Sequence, residues 1–146
     1  MLPREELLDG FLKGHAQYDA QTRAFYNAYG LTLDKPLYWI TRFHISADGG
    51  ERVVHEQQDM VCELFRMRLL ERLPDVWMMS ARHRDLFTWA LGLDHEPTRD
   101  MDDITAACAE AVSNALHLRL DVSVSGSETD AATLPARDME ASAALA

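Results

Sequence analysis

Leu37-Tyr38-Trp39-Ile40-Thr41-Arg42-Phe43-His44-Ile45-Ser46-Ala47-Asp48-Gly49-Gly50 is the stretch on which the fold turns. Leu37, Trp39, Phe43 and Ile45 fall at alternate positions in a β-branched and aromatic run, the period of a strand. Asp48-Gly49-Gly50 follows at once, and Asp-Gly accepts the backbone angles of a tight turn. Arg52 to His55 can then return as the second strand of a hairpin. A rival reading makes the same residues helical, with Asp34 as cap and Pro36 in the first turn. Alternation and turn chemistry agree with each other, and together they favour the hairpin.

Helical patterns surround that stretch. Upstream, Leu8, Phe11, His15, Tyr18, Thr22, Phe25 and Tyr29 recur at spacings of three and four, which predicts one long amphipathic helix over 3–29. Pro3, Glu5 and Glu6 suit its first turn and Gly30 its end, although Gly10 and Gly14 weaken its interior. Downstream, residues 56–73 are apolar almost all round the axis, the mark of a helix that is central to the fold or part of an interface, and Pro74 ends it. Residues 76–79 are a short apolar piece that suits a third strand. Ser80 as N-cap and Gly92 as terminator frame a further helix. The last clear helix runs over 101–116, with Asp100 as candidate cap, Asp102 and Asp103 in its first turn, and an inward face of Ile104, Ala107, Cys108, Ala111 and Ala115. Alternation at Leu118, Leu120, Val122 and Val124 predicts a strand to about Ser125. The expected fold is therefore a helix-rich α+β domain of about four helices and a small antiparallel hairpin sheet. An all-α bundle follows if 37–46 is helical.

Residues 1–125 read as one globular domain, a size that buries a core without staples. From Gly126 to Ala146 the chain is Ala, Ser, Thr and acid, with too few large apolar groups to repay ordering, so 126–146 reads as a disordered or loosely docked tail. Hydrophobic residues at 47% and charged residues at 26% exclude disorder of the whole chain. Cys62 and Cys108 lie among apolar helical neighbours and read as core thiols of a reducing, cytoplasmic setting. The N-terminus lacks the pattern of a secretory signal, and no run of ~18 apolar residues suggests a membrane span.

The formal net charge is −10. Such a field repels nucleic-acid backbones and anionic membranes and attracts basic partners. The acids concentrate at Asp94, Glu96, Asp100, Asp102 and Asp103, just after an arginine-rich segment (Arg66, Arg68, Arg72, Arg82, Arg84).

Chemical motifs are scarce. No two of the six histidines are three or four residues apart, the helical spacing of zinc ligands. His55-Glu56 has Asp59 where a zincin places its second histidine. His83 shares a helical face with Leu86, Phe87 and Ala90 in the helix read there, which suits a core histidine. The 94–103 acidic run lacks the glycine and terminal glutamate of an EF-hand loop and reads as a solvated helix start. No nucleophile elbow or phosphate-binding glycine pattern occurs. No cofactor and no metal is expected.

Recognition by surface remains. Trp77-Met78-Met79 places three large, adaptable side chains in a short segment, of the kind enriched at interface centres. The favoured function is a non-enzymatic acidic protein-binding module of inhibitor, immunity or small-chaperone type acting on a basic protein surface. Its contact residues would be Trp77, Met78, Met79, Asp94, Glu96 and Asp100. One alternative is a small hydrolase-like or metal-dependent enzyme using His55, Glu56, His83, His95 and Glu96. Another is a homodimeric structural subunit joined through the first helix.

Overall fold

The computed structural model describes residues 3–13, 23–28, 33–47, 53–129 and 134–145. Five helices, α1 (Pro3–Leu12), α2 (Arg23–Ala28), α3 (His55–Arg72), α4 (Met101–Leu116) and α5 (Leu134–Leu145), accompany four strands among them. The strands are β1 (Leu37–Ser46), β2 (Trp77–His83), β3 (Leu86–Leu93) and β4 (Arg119–Val124). They form one antiparallel sheet in the order β2-β3-β1-β4. The segment β1-α3-β2-β3-α4-β4 interleaves two strand–helix–strand units in that order, the split βαβ arrangement. The fold is α+β, and its sheet is larger than the small hairpin expected from the sequence.

Residues 37–46 are the strand that their alternation predicts, but the expected pairing is corrected. β1 is central and pairs with β3 from Leu37↔Leu93 to His44↔Leu86, and with β4 from Thr41↔Val124 to Ser46↔Arg119. Val53 and Val54 are not strand, and His55 opens α3, so no return strand follows among the described residues; Asp48 to Arg52 lie outside them. The helix expected between Ser80 and Gly92 is instead the β2–β3 hairpin, closed at His83↔Leu86 around Arg84 and Asp85. Arg84 takes the turn's positive φ of 58°. Three stretches expected as helix, at 56–73, 101–116 and the start of 3–29, are helical.

Side-chain alternation sends the two faces of the sheet to different partners. Trp39, Phe43, Ile45, Phe87, Trp89 and Leu91 point to α3 and α4, where Val61, Phe65, Leu69, Ile104, Cys108 and Val112 close the core. Phe43 stacks on its cross-strand neighbour Phe87 (ring centroids 4.8 Å apart), and Phe65 touches Phe43 at 5.0 Å and Trp89 at 5.3 Å. Such contacts add to the area term, itself the main source of stability. α3 buries Val61, Phe65 and Leu69 in this core and leaves Met60 and Met67 exposed on its other side.

The opposite face carries Tyr38, Ile40, Met79, Ala81 and Ala90, packed against Leu8, Phe11, Leu12, Tyr26 and Leu134. The predicted seam of the first helix is therefore used inside the chain at Leu8 and Phe11, whereas Phe25 is exposed and Tyr26 is buried in its stead. α1 ends at Leu12, and His15, Tyr18, Thr22 and Tyr29 lie outside the described residues. Within the stretch read as a disordered or loosely docked tail, Leu134–Leu145 is helical and lies against β1 and β4. Before it, Glu128 bridges Tyr38 through two backbone hydrogen bonds of 2.8 Å, extending the β4 side of β1.

Candidate protein-binding surface

Antiparallel pairing places the expected contact residues at one end of the molecule. Trp77 begins β2 opposite Gly92, one residue before β3 ends at Leu93, so Asp94 leaves the sheet beside the start of β2. Trp77-Met78-Met79 alternates across the sheet. Trp77 and Met79 face the α1 side and Met78 the α3 side, with Met79 buried and the other two half-buried. The Trp77 indole meets Tyr38 edge-on at 6.1 Å. Gly92 lies opposite both residues in the register, and a Cβ there would come within 3.1 Å of the Tyr38 ring and 2.8 Å of Lys35 Cγ. The absence of a side chain at Gly92 thus makes room for the aromatic seat.

The acidic connection from β3 to α4 leads away from that seat. Asp94, Glu96, Asp100, Asp102 and Asp103 are all exposed. Lys35 pairs with Asp94 at 3.3 Å, while its backbone N–H donates to the Tyr38 hydroxyl at 2.6 Å. Glu96, Asp100, Asp102 and Asp103 have no ion pair among the described residues. Asp100 stands at the N-cap of α4, but its carboxylate makes no cap hydrogen bond; its backbone carbonyl accepts from the Ile104 N–H at 3.1 Å. These carboxylates favour the positive end of α4 electrostatically and keep their hydrogen-bonding capacity.

The residues of the alternative enzymatic set are divided between the two ends of the sheet. His55 and Glu56 open α3, and His83 ends β2 beside the hairpin turn, whereas His95 and Glu96 follow the far end of β3. Eight residues of strand separate the groups by roughly 25 Å. His55 belongs to an exposed cluster: Arg82 Nη2 lies 3.3 Å from its Nε2, and Asp59 pairs with Arg82 at 2.5 Å. His83 is exposed at a strand end, which corrects its reading as a core histidine on a helical face. No group of three or more His, Cys, Asp or Glu among the described residues could hold a metal ion.

Burial raises the pKa of both the Cys62 and the Cys108 thiol, and neither thiol is in a disulfide. Such thiols are poor nucleophiles at neutral pH.

A second polar group, with no motif to announce it, lies under α5. Arg42 and Asp138 pair at 3.7 Å with both side chains nearly buried. Beside them an open depression of about 260 Å³ is lined by Arg42, His44, Leu86, Ser142 and Leu145. Arg42 falls on the polar side of the β1 alternation, the one sequence signal that it faces a different partner from Phe43.

No protein-family model matches the chain, and no curated protein matches it. Among solved structures it is similar to a hydantoinase/carbamoylase family amidase from Burkholderia ambifaria, at 13% identity and a TM-score of 0.41. The match covers 72% of this chain and 33% of the amidase, so the chain spans about a third of that protein's length. At that score the likeness carries no argument about activity.

Proposed function

We propose that the chain is a non-enzymatic protein-binding module, of inhibitor, immunity or small-chaperone type, which presents its acidic β3–α4 connection to a basic protein surface. The supporting observation is the exposed run Glu96, Asp100, Asp102 and Asp103, whose charge is not spent on ion pairs within the described chain, on the connection that leaves β3 where Trp77 begins β2. Unspent carboxylates on a connection that leaves the sheet at the partly apolar start of β2 suit the polar part of such an interface. Nucleic acid and anionic membrane are excluded from the proposal by the same charge. No helix among the described residues is long and apolar enough to cross a membrane. Two unbridged thiols suit the cytoplasmic setting that the proposal includes.

Affinity capture from host extract at low and high salt, with the wild type and Glu96→Gln/Asp100→Asn side by side, tests the reading. Basic proteins retained at low salt by the wild type and lost by the variant support it. Equal retention by both removes the acidic connection from the interface.

A further inference from the structure

α5 has a smaller apolar hold than α1, α3 or α4. Its fully buried apolar residues are Leu134 and Ala141, and Met139 is 72% exposed. The rest of its seat is polar. Arg42 Nη1 on β1 donates to Ser142 Oγ, and Ser142 Oγ donates to the Asp138 carbonyl at 2.8 Å. Ser123 Oγ on β4 donates to the Ala141 carbonyl at 2.6 Å. Arg42 Nη1 and Asp138 Oδ1 are 3.7 Å apart with side chains only 15% and 11% exposed. Arg42 Nε and Asp138 Oδ1 are buried without any hydrogen-bond partner.

Two charges taken out of water and paired at that distance repay little of their desolvation. Both regain full hydration when the helix lifts. The outer fastenings are the half-buried pair of Arg137 with Glu128 at 3.3 Å and the exposed hydrogen bond from the Gly126 N–H to Glu140 Oε1 at 3.1 Å, and both tie α5 to the chain just before it rather than to the sheet core. The core on the other face of the sheet uses no α5 residue.

We propose that α5 is a displaceable cover, which opens from β1 and β4 as a unit while the sheet and its α3–α4 core stay folded. Opening uncovers Arg42, opposite Ser123 in the strand register and two residues from His44. It creates a cationic spot on a chain of net charge −10. The closed state keeps that guanidinium under the helix, so the position of α5 decides which sign of charge this face offers. The device is separate from the acidic docking surface, to which α5 contributes no residue.

Native-state hydrogen exchange on the full chain at fixed pH and low urea tests it. Amides of Ala141 to Leu145 should exchange at least ~100-fold faster than those of Val61 to Leu69, with a weaker urea dependence. Arg42→Met combined with Asp138→Leu replaces the poorly matched pair by apolar groups. It should slow α5 exchange ~10-fold or more and leave α3 unchanged. If the double variant does not fold, Ser142→Ala serves in its place: loss of the hydrogen bond to Arg42 should speed α5 exchange ~10-fold and spare α3. Exchange of α5 and α3 at one rate with one urea slope overturns the proposal. So does a substitution that moves both helices equally, or a double variant whose α5 does not slow.

Discussion

The face of the sheet under α3 and α4 and the face under α1 and α5 share the same four strands, but they are closed by different kinds of side chain. On the first, Trp39, Phe43, Phe87, Trp89 and Phe65 make a contiguous aromatic core. On the second, Tyr38 and Ile40 give way along β1 to Arg42 and the exposed His44, met by Asp138 and Ser142 of α5. One strand therefore supports both a close-packed, non-directional seat and a polar, directional one. The first kind yields stability that varies little with conditions. The second yields a contact whose strength depends on charge state and geometry, which is where movement is least costly.

The largest expected effect tests the first face. Phe65 is fully buried and touches both Phe43 and Trp89. Phe65→Ala should cost ~3–5 kcal/mol in urea unfolding, the usual range for a deleted core phenylalanine. A change below ~1 kcal/mol would mean that the aromatic cluster can collapse around the loss, and the contrast between faces would fail.

Leu134→Ala is the matched experiment on the second face. Leu134 is as buried as Phe65, so packing alone predicts ~2 kcal/mol or more. With α5 as a separate unit, that loss should appear as faster exchange of α5 amides while the global urea midpoint moves little. A midpoint shift of the full size would tie α5 to the main cooperative unit. Gly92→Ala, between Tyr38 and Lys35, should cost ~1–2 kcal/mol, because the Tyr38 ring must yield to the new methyl. Thermal unfolding reads it, and a neutral result would show that the aromatic seat at this end adjusts freely.

Sequence periodicity located α3, α4 and β4 because each pattern was strong and its ends were marked, by Pro74 and by the change of character after Leu116. It failed where two local signals competed. Ser80 and Gly92 look like helix caps, while the Arg84-Asp85 turn lacks the glycine or asparagine that marks most two-residue hairpins, so the local pattern favours a helix where the structure has a strand pair. Asp48-Gly49-Gly50 pointed to a local partner for β1, but its true partners lie roughly 50 and 80 residues away, and no local rule specifies such pairings. α5 escaped because its inward face is Ala141, Asp138 and Ser142 with one large residue, a pattern that resembles a polar tail. The proposed contact residues were legible as unusual composition. That Trp77 and Asp94 share one end of the sheet, and that His55 and His95 do not, followed only from the strand order.

The smallest effect is a pH dependence that the two faces should not share. Burial under α5 raises the Asp138 pKa above the ordinary carboxylate range, and Arg42 on β1 only partly opposes this. From α1, Asp9 adds to the rise and Lys13 works against it. A carboxyl with a raised folded-state pKa holds its proton more tightly folded than unfolded. Its contribution is complete below the unfolded value of ~3.9 and is lost as pH climbs through the raised value. Glu63 and Glu140 have the opposite sign, since Arg66 and Arg137 lower their pKa values, but both carboxylates are exposed and their effect is screened by solvent. Docking of α5 should therefore be tighter in mild acid than at neutrality. Asp138→Asn, which fixes the neutral form, should leave α5 protection level across that range once intrinsic exchange rates are divided out, while the protection of Val61, Phe65 and Leu69 stays unchanged in both proteins. If α5 protection rises with pH in the wild type, the Arg42 pairing outweighs desolvation, and the polar face is held by its ion pair rather than weakened by it.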